Sequence, residues 1–501
     1  MSQLAAEPTA PQEATVDNVT RIRVLVGAII IQLILGTVYG YSIFWQPLDA
    51  ELGLSPRHAN YAFAICILSF ALVMVIAGRL QDMLGPRVPA IVGGVLMGSG
   101  FLIASLLETR FVFYIAHAAF TGAVAVVLLM LFHALTAKLD RQRVPLLQYV
   151  PHGIIASTVV AGVTMGNQYV GQLGETDKLF LLWGTVGFLA GAGIGFAYVC
   201  PIAALVKWFP KQKGLVSGVA VAGFGFGAYI FSHKSFPLSA EVYIKEHGIT
   251  SLFLVHGVVC LVLVTLGALL LSNPPTIPAT NAAASQDDGE SGWEATLRRP
   301  AFYVLWLMYF SGAMAGLMVI GVLKPFAGSQ LVAAATEAGA LDDAMRAELL
   351  SRGVTAVGWL AIFNAIGRIV WGLVSDRLGY AATMTVMFLL QAVTMFALVA
   401  MKTELSLAVA ASLVGFNYGG IFALFPSATA AMFGSRNLGA NYGWLFTSYG
   451  IAGVVGIAAG NAAKSMTGSY GAAFVVAGCL CVVSAALAIG LARTQRGQAA
   501  T

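Results

Sequence analysis

The sequence predicts an all-α polytopic membrane protein, and three observations carry that prediction. Only 10% of the 501 residues are charged, against about 25% in an ordinary soluble domain. Hydrophobic residues make up 58% of the chain and the mean hydropathy is +0.84. Apolar runs long enough to cross a bilayer, roughly 20 residues each, recur from end to end. The 56 glycines and 16 methionines suit closely packed helices; the strands of an outer-membrane barrel would instead alternate in polarity. This composition excludes a soluble enzyme, a disordered chain and a disulfide scaffold. The net charge of +5 is no sign of nucleic acid, because its meaning lies in where the basic residues fall.

Residues 1–20 are polar, carry Glu7, Glu13 and Asp17, and lack the basic-then-apolar pattern of a cleaved signal. They are expected to form a disordered cytoplasmic N-terminus, with the first span acting as the insertion signal. Apolar stretches follow at 24–46, 60–78, 88–106, 111–136, 149–171, 180–206, 214–232, 251–271, 301–323, 354–374, 381–401, 405–425, 438–460 and 470–491, about fourteen spans by the bilayer-length criterion. Residues 494–501 form a short tail. With both termini inside, sixteen of the 27 Lys and Arg residues face the cytoplasm, ten face outward, and Arg368 lies within a span. That is the bias of the positive-inside rule. The expected location is the cytoplasmic (inner) membrane. Cys66, Cys200, Cys260, Cys479 and Cys481 all sit in apolar runs and read as packing residues, so neither a metal site nor a cofactor is expected.

Residues 272–300 form the one long polar break, with Pro274, Pro275, Gln286 and Asp287, and read as a cytoplasmic linker. The halves on either side, 21–271 and 301–493, repeat each other. Gly78-Arg79-Leu80-Gln81-Asp82-Met83-Leu84-Gly85 aligns with Gly372-Leu373-Val374-Ser375-Asp376-Arg377-Leu378-Gly379 at an offset of 294. Pro201, Gly214 and Gly218 align with Pro426, Gly439 and Gly443 at an offset of 225, so the first half carries 69 extra residues. They fall in a predicted inserted helix pair, 107–179. Without it, each half has six helices.

Two six-helix halves joined by a cytoplasmic linker is the major facilitator architecture. The stretch from Gly78 through Asp82 and Gly85 to Arg87 resembles that superfamily's loop signature between its second and third helices. Physically, Gly78 and Gly85 permit tight helix ends, Asp82 suits a helix N-terminus, and Arg79 and Arg87 hold the inside face. Asp376 and Arg377 are the second-half counterparts. A more specific resemblance lies in Gly195-Phe196-Ala197-Tyr198-Val199-Cys200-Pro201, Lys207-Trp208-Phe209-Pro210, Tyr39-Gly40-Tyr41-Ser42 and Asn441-Tyr442-Gly443-Trp444. With these, the chain resembles the oxalate/formate antiporter family over both halves except the insertion. The resemblance implies alternating-access exchange or symport of small carboxylates, and a substrate-binding arginine in the second helix of the second half.

Residue chemistry points the same way independently. No Asp or Glu lies in any span core, whereas Arg368 does, eight residues before Asp376 and so about 12 Å deep. A buried guanidinium needs a partner, and an anionic substrate held in a bidentate fork supplies one. The competing roles for Arg368 are snorkelling to the interface and capping backbone carbonyls. Asn364 lies on its helix face. The resemblance implies that family members exchanging dicarboxylates pair this arginine with a lysine in the penultimate helix, one turn beyond a tryptophan. Here Trp444 is followed one turn on by Thr447 and Ser448, and 438–460 contains no lysine. One cation matches a monocarboxylate such as formate or lactate better than oxalate. Tyr39, Tyr198, Tyr418, Trp444 and Thr447 complete the expected substrate-binding set, each with helix packing as its plain alternative.

Buried Asn417 and Gln391 need partners. The glycine runs at 191–195 and 223–227 lack the strand–turn–helix setting of a dinucleotide site and read as helix packing. His117, His133 and His256 read as structural before they read as proton relays. Residues 337–350 are expected as an outer amphipathic helix. No catalytic constellation is present, so the protein is not expected to be an enzyme. The reading is a monomeric secondary transporter whose inserted helices offer a surface for a partner. Its rivals are a proton-coupled monocarboxylate symporter and a non-transporting membrane sensor or scaffold.

Overall fold

The computed structural model describes residues 18–109, parts of 113–129, and 150–170, 174–232, 239–275, 291–337, 339 and 342–499. Twelve described helices are long and apolar enough to span a membrane. Six precede the linker: α1 (Asn18–Tyr41), α2 (Tyr61–Leu84), α3 (Arg87–Ala104), α4 (Glu175–Trp208), α5 (Lys213–Phe231) and α6 (Ile249–Leu270). Six follow it: α7 (Pro300–Leu323), α8 (Ala356–Leu378), α9 (Tyr380–Leu398), α10 (Glu404–Phe433), α11 (Leu438–Thr467) and α12 (Gly471–Arg493). The count therefore differs from the fourteen read from the sequence. Of the two inserted spans, one is a described helix, Val150–Val170, with its apolar stretch at Val150–Val160. The other, 111–136, falls largely outside the described residues.

The spans depart from plain helices in ways that hydropathy does not reveal. After Gly36, α1 tightens into a 3₁₀ segment, Thr37–Phe44, and presents Tyr39 and Tyr41 from it. In α4, Trp183–Leu189 widens into π turns. The outer segment 337–350 is not a helix of its own. The α7 helix runs on to Glu337, the chain turns at Gly339 with φ +70°, and Asp342 caps a helix that continues into α8 by accepting from the Met345 N–H at 2.6 Å. Ion pairs tie these extensions to the start of α10: Lys402 to Glu337 at 2.6 Å and Arg352 to Glu404 at 3.2 Å.

The halves meet along two broad seams, α2 against α11 and α5 against α8, and glycine decides how closely. A Cβ on Gly78 would strike the Gly439 carbonyl, and one on Gly439 would strike the Gly78 carbonyl. At the other seam, Gly214 and Gly372 stand in the same reciprocal relation. These are the repeat-related pairs, so the pseudo-symmetry is a symmetry of contacts. Gly78 thus lies inside α2 and serves the crossing, not a helix end. Gly85, at φ +81°, and Gly379, at φ +80°, do end their helices. The remaining glycine runs pack helices tightly: Gly193 fits against Gly93 and Met97, and Gly227 against the Leu33 carbonyl.

Candidate functional site

Arg368 is fully buried where α5, α8 and α10 meet. Its Nε donates to Asn364 Oδ1 at 2.8 Å. Nη1 donates to the Val221 carbonyl of α5, across the seam, at 2.6 Å. Nη2 is buried and donates to nothing. The guanidinium lies over the Phe422 ring at 4.4 Å and near the Phe224 ring at 5.8 Å. The cation therefore caps a backbone carbonyl, as one competing role anticipated, and keeps a free edge. It does not snorkel, because it has 0% exposure. α8 can bring it this close to α5 because Gly218 leaves its backbone bare beneath the Arg368 carbonyl.

Tyrosines from both halves converge on this region: the Tyr39 and Tyr198 rings lie 5.0 and 5.5 Å from Phe224, and the Tyr418 ring lies 5.2 Å from Phe422, the two phenylalanines beside the guanidinium. Tyr39 of α1 shares a 2.5 Å hydrogen bond with Tyr449 of α11, which also meets Tyr418 of α10 at 3.2 Å. Tyr309 and Tyr442 pair at 3.1 Å. The Tyr198 carbonyl accepts from Gln32 at 3.0 Å, and its buried hydroxyl lies toward that of Tyr442. Phe70, Phe224 and Phe446 fill the space between, with Phe70 and Phe446 centroids 4.8 Å apart. The result is a closely packed aromatic cluster at the interface with one cation, one uncommitted guanidinium edge and several hydroxyls. That combination suits a small anion with an apolar or compact body.

At the end of the bundle that carries the 78–87 and 372–379 turns, called the loop end below, the repeats interlock. Asp82, in the last turn of α2, accepts from the Gly439 and Ala440 N–H groups at 3.1 and 2.7 Å. Asp376 accepts from Gly214 and Leu215 at 2.8 and 2.7 Å. Each carboxylate meets the exposed amides and positive dipole end of a helix in the opposite half.

Residues 152–341 and 313–500 match the family model of the Major Facilitator Superfamily. The chain belongs to this superfamily. It is 29% identical over 330 residues to the oxalate:formate antiporter of Oxalobacter formigenes, covering 66% of this chain and 72% of that one. It is also 29% identical over 347 residues to apicoplast pyruvate carrier 1 of Toxoplasma gondii, covering 58% and 61%. Among solved structures, the outward conformation of the E. coli transporter FucP superposes with a TM-score of 0.57 at 14% identity, over 94% of this chain and 98% of that one. That likeness shows the shared fold.

Within this facilitator fold, the expected binding residues divide. Arg368, Asn364, Tyr39, Tyr198 and Tyr418 come together. Trp444 and Thr447 do not join them. At about 100° per residue, they project from the face of α11 opposite Tyr442, Phe446 and Tyr449. Trp444 stacks on Trp293 at 5.9 Å. Thr447 accepts from the Trp306 indole at 3.0 Å. Both are occupied in packing.

Sequence reading missed Tyr309, Tyr442, Tyr449, Phe224 and Phe422. The signal available was helical phase: Tyr442, Phe446 and Tyr449 share one face once α11 is fixed. Among the loop residues, Arg79 lies over the Trp293 ring at 5.8 Å, Arg87 Nε donates to the Leu271 carbonyl at 2.5 Å, and Arg377 is exposed. Asn417 and Gln391 are buried without hydrogen-bond partners. His256 is engaged by Thr37 at 3.1 Å and Cys260 at 3.4 Å. His133 lies outside the described residues.

Proposed function

We propose that the protein is a secondary transporter that carries small organic anions across the cytoplasmic membrane by alternating access, in exchange mode, with both termini cytoplasmic. The observation that supports this reading is the state of Arg368: a cation buried between the halves, with no ion pair to an acidic side chain and no partner for Nη2 among the described residues. An isolated buried charge is costly, and a carboxylate docking on that edge offsets the cost. The similarity to an oxalate:formate antiporter and a pyruvate carrier supports the same substrate class.

A single cation favours a monocarboxylate, formate or lactate, over oxalate. In this reading the carboxylate takes Arg368 Nη2. Hydroxyls of Tyr39, Tyr198 and Tyr418 complete its hydration, and the aromatic rings exclude water. The halves then rock about the bound anion. Crossing while empty would carry an uncompensated guanidinium through the apolar interface, which couples each crossing to a loaded site and so enforces exchange.

The test is counterflow in proteoliposomes preloaded with unlabelled formate, lactate, acetate or oxalate, following labelled uptake. One acid is expected to accumulate, and Arg368→Ala is expected to lower its initial rate by at least tenfold, the cost of losing a charged hydrogen bond of about 1.5–3 kcal/mol. Equal uptake by wild type and variant would make Arg368 a packing residue. Uptake that requires an inward proton gradient would replace exchange with symport. Ligand protection from heat denaturation without flux would leave a sensor.

A further inference from the structure

The linker re-enters the described structure at Ser291, and it does so at the loop end, directly on the seam between the halves. Its backbone is fastened to the second half. Ser291 N–H donates to the Phe433 carbonyl at 2.9 Å, and the Ser291 carbonyl accepts from Asn441 at 2.9 Å and Asn437 at 3.4 Å. Two residues on, Trp293 lies nearly parallel to Trp444 of α11, with centroids 5.9 Å apart and planes at 22°. Trp293 also carries Arg79 of the first half, whose guanidinium carbon is 5.8 Å from the ring centroid. A cation from one half, an indole from the linker and an indole from the other half thus form one stack.

We propose that the Ser291–Trp293 end of the linker is a latch. Trp293, held to the second half, captures Arg79 of the first and biases the loop end toward its closed state. Opening that end separates α2 from α11. Trp293 stays with the second half because its ring stacks on Trp444 and three hydrogen bonds hold Ser291, two residues before it, to Phe433, Asn437 and Asn441, so the Arg79 contact is the one that breaks. The device belongs to this seam alone among the described residues. The repeat-related position to Arg79 is Leu373, which has no charge to offer an aromatic ring. The latch rests on the alternating-access reading above and adds to it a preferred resting side, set by the linker instead of by the substrate.

Spin labels at Met83→Cys and Leu378→Cys, both exposed and on opposite halves at the loop end, in a Cys479→Ser background, report the opening as a pulsed-EPR distance distribution in nanodiscs. Trp293→Ala and Arg79→Leu are each expected to raise the long-to-short distance ratio by about two- to fivefold, the range of an exposed cation–π contact. The double variant should do no more than either alone, and Trp293→Phe should keep most of the wild-type bias. Should Trp293→Ala fail to fold, Arg79→Leu in the wild-type and Trp293→Phe backgrounds makes the same comparison. Two populations that Trp293→Ala leaves unshifted, or single-variant effects that multiply in the double variant, would overturn the latch alone. One distance in every variant, with and without formate or lactate, would overturn the alternating-access reading and the latch with it.

Discussion

The two seams of this transporter are copies of one device built to different strengths. Both cross on a glycine pair, Gly78 with Gly439 and Gly372 with Gly214. Both place a carboxylate, Asp82 or Asp376, on the first amides of a helix in the other half. Around that shared part the environments differ. Asp82 is nearly enclosed, with 7% side-chain exposure, and Lys207 stands 3.8 Å away. Asp376 is open to solvent, and the position related to Lys207 is Met432. The Arg79–Trp293 contact also has no counterpart at Leu373. The α2–α11 seam is therefore reinforced and the α5–α8 seam is bare. The lesson is that the internal repeat conserves the joint, while the charges added around it decide how firmly each joint closes.

The crossings themselves should be equally intolerant, and this is the largest effect expected. Gly78→Val and Gly372→Val each drive side-chain atoms into an opposing backbone carbonyl that has nowhere to go. Overpacking of this kind costs about 1–3 kcal/mol or more. Both variants should lose closed-state population at the loop end and lower the melting temperature in detergent by several degrees. If only one did so, the two crossings would not be equivalent. The carboxylates come next and should separate the seams. Asp82→Asn removes two charge-assisted bonds and leaves Lys207 beside a neutral amide. The closed-to-open ratio should fall by about tenfold, using the upper part of the range for a partly buried charge at a helix N-terminus. Asp376→Asn, exposed and with no ion pair among the described residues, should cost about two- to threefold. Equal losses from the two would remove the asymmetry argued here.

How much of this was legible in the sequence follows from the kind of signal each feature leaves. Six spans in each half, within the fourteen expected, and the repeated loop motif were legible because both rest on local pattern: apolar length, and a Gly–Asp–Gly spacing written twice. Arg368 was legible as a buried cation because a lone charge in an apolar run needs a partner, although the sequence left carbonyl capping and snorkelling open as rival roles. Asn364 followed from its spacing on the same helix face. What sequence could not supply was rotation. Trp444 looked like part of the site beside Tyr442, yet two residues along a helix turn a side chain about 200°. Tyr442 therefore faces the aromatic cluster while Trp444 faces the linker. The 3₁₀ segment that offers Tyr39 left no mark in the hydropathy, because the mean over a span does not depend on how many residues make a turn. Gly78 was read as a helix end for want of its partner: Gly439 lies in the other half, and nothing local to either glycine announces the other.

The smallest expected effect is also the sharpest test of the comparison, because it moves a charge from one copy to the other. Lys207→Met makes the reinforced seam resemble the bare one. The Lys207–Asp82 pair is longer than a hydrogen bond and borders the surface, so its removal should lower the closed-to-open ratio by about two- to threefold, within the range of a partly exposed ion pair. Met432→Lys introduces the cation at the related position. There it should approach Asp376 and raise the closed-state population of the α5–α8 seam by a similar factor. Both effects should shrink when salt rises from 0.05 to about 0.5 M, since the screening length falls well below 10 Å at the higher value. Asp82→Asn should make Lys207→Met silent, because the cation then has no carboxylate to support. If Lys207→Met weakened closure as much in the Asp82→Asn background as in wild type, Lys207 would act through packing of its alkyl stem. The difference between the seams would then be one of shape and not of charge.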